Sequence, residues 1–372
     1  MIAFIFVFIS GMGISFFLTP YIKDLLIERG FLDKPDARKV HTRAIPRLGG
    51  IAIYVGFCVS LIIAYFGYPR FFEEKEMNIL GLLVASTFIV IVGAVDDIYN
   101  IRPWIKLAAQ IFAAIILIIF GFNIEAISNP FGGAIELGAF NYPLTVLWVI
   151  GVINAINLVD GLDGLASGVS LIVAMTIFLI GLYLDKSYVA LLSFGLTGSI
   201  LGFLRHNFYP AKIFMGDSGS MFIGLVLAAL GLISSQKSAV SFAILVPFIA
   251  LGYPVLDTAL AIVRRAKAKR NIFTADREHI HHVLLSYGYS HQKTVIVLYI
   301  ICLFFASMAF LFAAFNKSNK FIMGVLFFVG MFAFVFVRFL SYAKVPVEDE
   351  ENTDVKKAGN AHDAANRNDK ND

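Results

Sequence analysis

Six aspartates stand in or beside long apolar runs, and their placement is where chemistry first shows in this sequence. Asp96 and Asp97 close one run in VGAVDDIYNIRPWIK, and Asp160 and Asp163 follow another in NAINLVDGLDGLASG. Asp217 precedes a third in KIFMGDSGSMFIG, and Asp257 lies inside a fourth in GYPVLDTALAIVRR. An ionisable group at such a position is costly and points to function by default. Adjacent carboxylates such as Asp96 and Asp97 repel, so a cation, a proton or a basic partner must hold them. Mg²⁺ is the natural cation, because it takes one or two carboxylates, substrate phosphates and several waters. Solvation or helix capping is the alternative for any single Asp, and it weakens for four acidic sites set among Gly and Asn.

Asn154, Asn157 and Asp160 recur every three residues, which keeps them on one slowly rotating helix face. Gly161 and Gly164 then let the backbone turn and approach a ligand. The alternative is a polar seam between membrane helices. In Phe214-Met-Gly-Asp217-Ser-Gly-Ser220, small residues lead into a helix start, whose amides can hold an anion. There Phe214 could stack on a planar ring and Asp217 could hold a metal beside a phosphate, or Asp217 could simply cap the helix.

Basic residues surround these acids. The 263–293 loop carries His279, His281 and His282 beside Asp276, Arg277 and Glu278. Three His without a nearby Cys fall short of a tetrahedral zinc site and suit oxyanion binding better. The Arg and Lys of 264–270 read as a topology signal with affinity for anionic lipid. The segment PDARKVHTRAIPRLGG adds Arg38, Lys39, His41, Arg43 and Arg47, and Lys106 follows Asp96 by ten residues. Cations around carboxylates are the electrostatic layout of a diphosphate site.

The elements that must position these groups are membrane helices. Of 372 residues, 59% are hydrophobic and only 15% charged, with mean hydropathy +0.80. Soluble domains carry about 25% charged residues, so an ordinary cytosolic enzyme is excluded. Eleven apolar runs, at about 1–22, 48–68, 79–95, 104–121, 143–159, 165–184, 188–204, 218–234, 239–262, 294–315 and 320–341, can each cross a hydrocarbon core of roughly 30 Å. The first has no basic residue ahead of it and no cleavage site behind it, so it reads as a retained helix. Twenty-four of the 30 Lys and Arg fall on one set of alternate connections. By the positive-inside rule that face is cytoplasmic, with the N-terminus outside and the C-terminus inside. The expected fold is therefore an all-α polytopic membrane protein of about 11 transmembrane helices with its active site on the cytoplasmic face. Residues 1–341 form its membrane domain, and 342–372 form a polar tail too poor in large apolar residues to fold. The Gly-rich stretch within 122–142 predicts a small hairpin. Cys58 and Cys302 lie in apolar runs and read as core residues.

VDD with Lys106, NxxNxxDGxDGL, FMGDSGS and the HIHH cluster, in this order over residues 1–341, resemble the bacterial polyprenyl-phosphate N-acetylhexosamine-1-phosphate transferases. The resemblance is nearest to the branch that uses undecaprenyl phosphate and GlcNAc-1-phosphate, which begins O-antigen, common antigen or teichoic acid synthesis. It implies transfer of GlcNAc-1-phosphate from UDP-GlcNAc to undecaprenyl phosphate with release of UMP. It also implies Mg²⁺, replaceable by Mn²⁺, and a place in the bacterial cytoplasmic (inner) membrane among membrane lipids. No nucleic acid partner is expected, and a homodimer is left open. Carried over, Asp217 ligates Mg²⁺ on the nucleotide diphosphate with Asp97 near the metal, and Asp96 serves as base or positioner for the lipid phosphate. Phe214 stacks on uracil with Asp163 beside it. Asn154, Asn157 and Asp160 line the nucleotide-sugar pocket, and Lys106, Arg43, His279, His281 and His282 contact substrate. HIHH and eleven spans separate the chain from the related phospho-MurNAc-pentapeptide transferases. An ion-coupled secondary transporter is the competing class, disfavoured because its acids would sit near the membrane midplane.

Overall fold

The structure is a computed structural model that describes residues 1–33, 44–73, 75–128, 134–235, 245–267 and 279–315, with 324, 328 and 330 besides. Residues 1–329 form one compact unit and 330–372 a second. The expected tail at 342–372 lies outside the described residues, and so does the eleventh run at 320–341 apart from those three positions.

The helices of the first unit are α1 (Ile2–Glu28), α2 (Gly50–Gly67), α3 (Glu76–Tyr99), α4 (Pro103–Ile119), α5 (Asn141–Val159) and α6 (Leu165–Tyr183). They continue with α7 (Ser187–Asn207), α8 (Gly216–Ser235), α9 (Leu245–Ala250), α10 (Gly252–Lys267), α11 (Ile280–Ser286) and α12 (His291–Phe315). Among the described residues, eight helices are long and apolar enough to cross a membrane: α1, α2, α3, α5, α6, α7, α8 and α12. The fourth expected span is the shorter apolar helix α4.

The ninth expected span, at 239–262, is not one helix. Where it is described, the chain breaks at Leu251 between α9 and α10. Pro254 is the third residue of α10; it has no N–H to give the carbonyl of Ala250, and its ring crowds that carbonyl. Regular bonding resumes when Val255 N–H donates to the Leu251 carbonyl at 3.0 Å.

Helix α8 is the axis of the unit. Within its apolar stretch 94% of residues are buried, against 28% for α1 at the rim. Around its first turn, α2 and α3 pack backbone to backbone, since a Cβ on Gly50 would strike Gly219 and one on Gly93 would come within 2.6 Å of Ser218. Small residues at membrane-helix contacts permit such approach. Further along, Trp148 Nε1 of α5 donates to the Ala228 carbonyl at 3.1 Å.

The expected hairpin is present. Strand β3 (Ala126–Ser128) pairs antiparallel with β4 (Ala134–Glu136), Ala126 facing Glu136. A second pair, β1 (Leu32–Asp33) with β2 (Ile45–Pro46), brings together the chain on either side of residues 34–44.

Candidate active site

A tight turn between α3 and α4 creates the first contact. Asn100 adopts φ 50°, a left-handed conformation that Asn tolerates, and its N–H donates to the Asp96 carbonyl at 2.8 Å. Ile101 N–H donates to Asp96 Oδ1 at 2.9 Å, and Pro103 starts α4. Lys106, one turn into α4, therefore folds back over the end of α3. Its Nζ lies 2.6 Å from Asp96 Oδ2 and 2.5 Å from Asp217 Oδ2.

Asp97 holds the start of α8. Its Oδ1 accepts from the Asp217 N–H at 2.8 Å and its Oδ2 from the Ser218 N–H at 3.1 Å. These are amides that a helix start leaves unpaired, and the helix dipole there favours negative charge. The anion at this helix start is thus Asp97 itself. Gly216, at φ +71°, permits the approach, because a Cβ on it would collide with the Asp97 carboxylate. One turn on, Asn157 Nδ2 of α5 donates to Ser220 Oγ at 2.9 Å, and Ser220 Oγ donates to the Gly216 carbonyl at 3.1 Å.

The first loop is sewn to the same place. Phe214 N–H donates to the Pro46 carbonyl, Gly49 N–H to the Phe214 carbonyl and Gly50 N–H to the Met215 carbonyl, each at 2.9 Å. Arg47 sits in this seam, with Nη1 3.8 Å from Asp33 Oδ1, while Phe214 is half-buried. Burial opposes charge on Arg47, yet Asp33, Asp97, Asp217 and Asp160 more than offset it and raise its pKa. A cleft of about 230 Å³ opens here, lined by Asp33, Arg47, Asp97 and Asn100 among others. Arg43, expected to touch substrate, lies outside the described residues. Among the described residues of that loop, Arg47 is the cation placed among the carboxylates.

Asp160 and Asp163 occupy the loop between α5 and α6. Asp160 is pushed up to about 7 by burial and by Asp217, with Asp97 and Asp163 adding to the effect and Arg47 opposing it. Asp163 Oδ2 accepts from the Ala211 N–H at 2.9 Å. Tyr299 of α12 steadies the loop by donating from Oη to the Gly164 carbonyl at 2.6 Å. Asn154 belongs to a different arrangement. Its Nδ2 donates to Gln110 Oε1 of α4 at 2.7 Å, so the polar seam between helices describes its environment.

The histidine segment meets this loop at Gly161, where an added Cβ would lie 2.6 Å from His281 Nε2. His279 and His281 are buried and nearly parallel, with ring centroids 5.8 Å apart, and His281 lies 4.3 Å from His282. Burial and the neighbouring His282 pull His281 down to about 3. Sequence reasoning had assigned Asp257 no part in this segment, yet its Oδ2 lies 3.0 Å from His279 Nδ1 and its Oδ1 accepts from the Ile280 N–H at 2.9 Å.

The acids at the start of α8 suit a hard divalent cation. Asp97 and Asp217 meet there with only oxygen ligands to offer, and Asp96 and Asp160 add negative charge beyond what Lys106 and Arg47 balance. Among the described residues, no three His, Cys, Asp or Glu converge to cage a metal by themselves.

The described helices make this a polytopic membrane protein whose acids and lysine gather at one end of α8. The description "Glycosyl transferase family 4" matches residues 79–235, which contain Asp96, Asp97, Lys106, the Asp160–Asp163 loop and Asp217. The chain is 39% identical over 310 residues to the probable undecaprenyl-phosphate N-acetylglucosaminyl 1-phosphate transferase of Bacillus subtilis, covering 83% of this chain and 85% of that protein. It is 33% identical over 308 residues to the undecaprenyl-phosphate alpha-N-acetylglucosaminyl 1-phosphate transferase of Thermotoga maritima, covering 83% and 88%. To the decaprenyl-phosphate N-acetylglucosaminephosphotransferase of Mycobacterium tuberculosis H37Rv it is 38% identical over 311 residues, covering 77% of each chain. The chain belongs to glycosyl transferase family 4.

Proposed function

We propose that the protein transfers GlcNAc-1-phosphate from UDP-GlcNAc to undecaprenyl phosphate, forming undecaprenyl-diphospho-GlcNAc and releasing UMP. The observation that carries this is Lys106 held between Asp96 and Asp217, with Asp97 on the first amides of α8. The names of relatives covering most of the chain support the acceptor class and the sugar phosphate. Undecaprenyl rather than decaprenyl phosphate is the acceptor in the proposal, as in the B. subtilis and T. maritima names.

In the reaction, an oxygen of the lipid phosphate attacks the sugar-bearing phosphorus of UDP-GlcNAc. A new P–O bond forms, the diphosphate P–O bond breaks, and UMP leaves with the bonding pair. Such transfers depend on positioning and on stabilising charge spread over phosphate oxygens. Lys106 supplies positive charge where the phosphates meet, and Asp96 orients the lipid phosphate or takes its proton. Asp217, with Asp97 behind it, would hold Mg²⁺, which when bound neutralises the diphosphate. Phe214 stacks on uracil and Asp163 helps hold it. Asn157 and Asp160 line the sugar-nucleotide pocket, and His282 and His281 meet phosphate. Direct attack is one route and a covalent phosphosugar on an Asp the other, and trapping a labelled enzyme-sugar-phosphate adduct would contradict the direct one.

The site faces the cytoplasm of a bacterial cell, where UDP-sugars are made. The product begins a cell-envelope glycopolymer. The test is purified protein in detergent with undecaprenyl phosphate, Mg²⁺ and either UDP-GlcNAc or UDP-MurNAc-pentapeptide. Lipid-linked product from UDP-GlcNAc alone is expected. Product from the pentapeptide substrate would move the protein to peptidoglycan synthesis, and none from either would overturn the transferase reading.

A further inference from the structure

Asp257 is fully buried within α10, yet neither of its oxygens is idle. One faces the His279 ring and the other takes the backbone N–H of Ile280, the first residue of α11. With Oδ1 accepting from the Ile280 N–H, the arrangement that fits this geometry has Oδ2 accepting the hydrogen of the ring nitrogen that faces it. The partner of one ring nitrogen sets what the other can do. His279 in turn lies parallel to His281, at 6° between ring planes, and His281 rests on Gly161 with no space for a Cβ between them. Asp257, His279, His281 and Gly161 thus form one continuous line from α10 to the loop of Asp160 and Asp163.

We infer that Asp257 is a positioning residue of this site: it fixes His279 with hydrogen on Nδ1 and thereby sets His281 against the Asp160–Asp163 loop. The inference rests on the transfer reaction proposed for the site. Asp257 touches no substrate; it acts through His279 and the first turn of α11. Carboxylate partners of functional histidines, where studied at metal sites, are worth about 10- to 100-fold in affinity or activity.

The change that isolates this role is Asp257→Asn. Its carbonyl still accepts from Ile280, but its NH₂ turns a donor toward His279 and forces the hydrogen to Nε2. Full-length protein with ¹⁵N-labelled histidine is prepared as wild type, Asp257→Asn, His279→Gln and the double variant, and His279 is assigned by its loss in His279→Gln. The wild-type signal should show hydrogen on Nδ1, moving to Nε2 in Asp257→Asn. UMP release from UDP-GlcNAc should fall about 10- to 100-fold in kcat in that variant, with KM for UDP-GlcNAc little changed. On the His279→Gln background the same replacement should cost no more than about twofold, as for two residues acting as one unit. An equal loss on both backgrounds, or wild-type kcat despite a moved hydrogen, would overturn the inference. If Asp257→Asn fails to fold, hydrogen on Nε2 of His279 in the wild type would overturn it alone. A folded wild type that transfers nothing refutes the transfer reaction instead, and leaves the tautomer measurement to decide the Asp257–His279 pairing.

Discussion

The ammonium of Lys106 lies 2.5 Å from Asp217 Oδ2, although 111 positions of chain separate them. The contact exists because the turn at Asn100 folds α4 back onto α3, while Gly93 lets α3 lie against the first turn of α8. Lys106 thereby joins three helices at the point where their acids meet.

Replacing Lys106 by Met should accordingly do two kinds of damage. Asp96 and Asp217 would face each other without their shared cation, and breaking a largely buried ion pair costs on the order of 3 kcal/mol. Thermal unfolding in detergent should show a lowered midpoint, and UMP release should vanish. A variant that is fully stable and active would remove Lys106 from the account.

Gly216→Ala tests the approach of Asp97 to α8. A left-handed conformation costs a residue with a Cβ about 1–2 kcal/mol, and here the methyl would also strike the Asp97 carboxylate. Transfer should drop at least about tenfold, the equivalent of 1.4 kcal/mol in the barrier. The conservative change Ser218→Ala, which keeps the backbone N–H, should be milder in the same assay.

His281 predicts a pH dependence of stability. Folded, it stays neutral down to about pH 3, whereas an unfolded chain protonates it near pH 6.5. Below that value the unfolded state therefore binds one more proton. Stability is fully present above about pH 6.5 and falls by about 1.4 kcal/mol for each unit of acidification until pH nears 3. Unfolding midpoints at pH 7.5, 6 and 5 should fall more steeply for the wild type than for His281→Gln. Parallel curves would mean that His281 titrates alike in both states.

Much of the site was legible because its parts are local. VDD at a span end, a lysine one turn into the next span and Asp217 at a helix start carry their chemistry in their spacing, and the structure brings them together. Asn154 shows the limit. Its three-residue interval with Asn157 correctly marks one face of α5, but only the packing of α4 reveals that Gln110 occupies it. Asp257 reads from the sequence only as an acid inside an apolar run, because its partners His279 and Ile280 stand 22 and 23 positions further along, a separation that periodicity does not bridge. Arg47 is one of several cations in its loop, and its place beside the carboxylates follows from the backbone pairing of Pro46, Gly49 and Gly50 with Phe214 and Met215, which spacing alone does not reveal. The break in the ninth span was written in the sequence as Pro254, whose missing N–H outweighs an otherwise continuous apolar run.

The central claim is that Asp217 anchors a metal-dependent phosphoryl transfer at the start of α8. UMP release from UDP-GlcNAc and undecaprenyl phosphate, with Mg²⁺ and after chelation, should be compared in the wild type and Asp217→Asn at matched folded concentration. The account predicts release by the wild type that chelation abolishes and Mg²⁺ restores, with none from Asp217→Asn despite intact folding. Release that survives chelation, or an active Asp217→Asn, would contradict it.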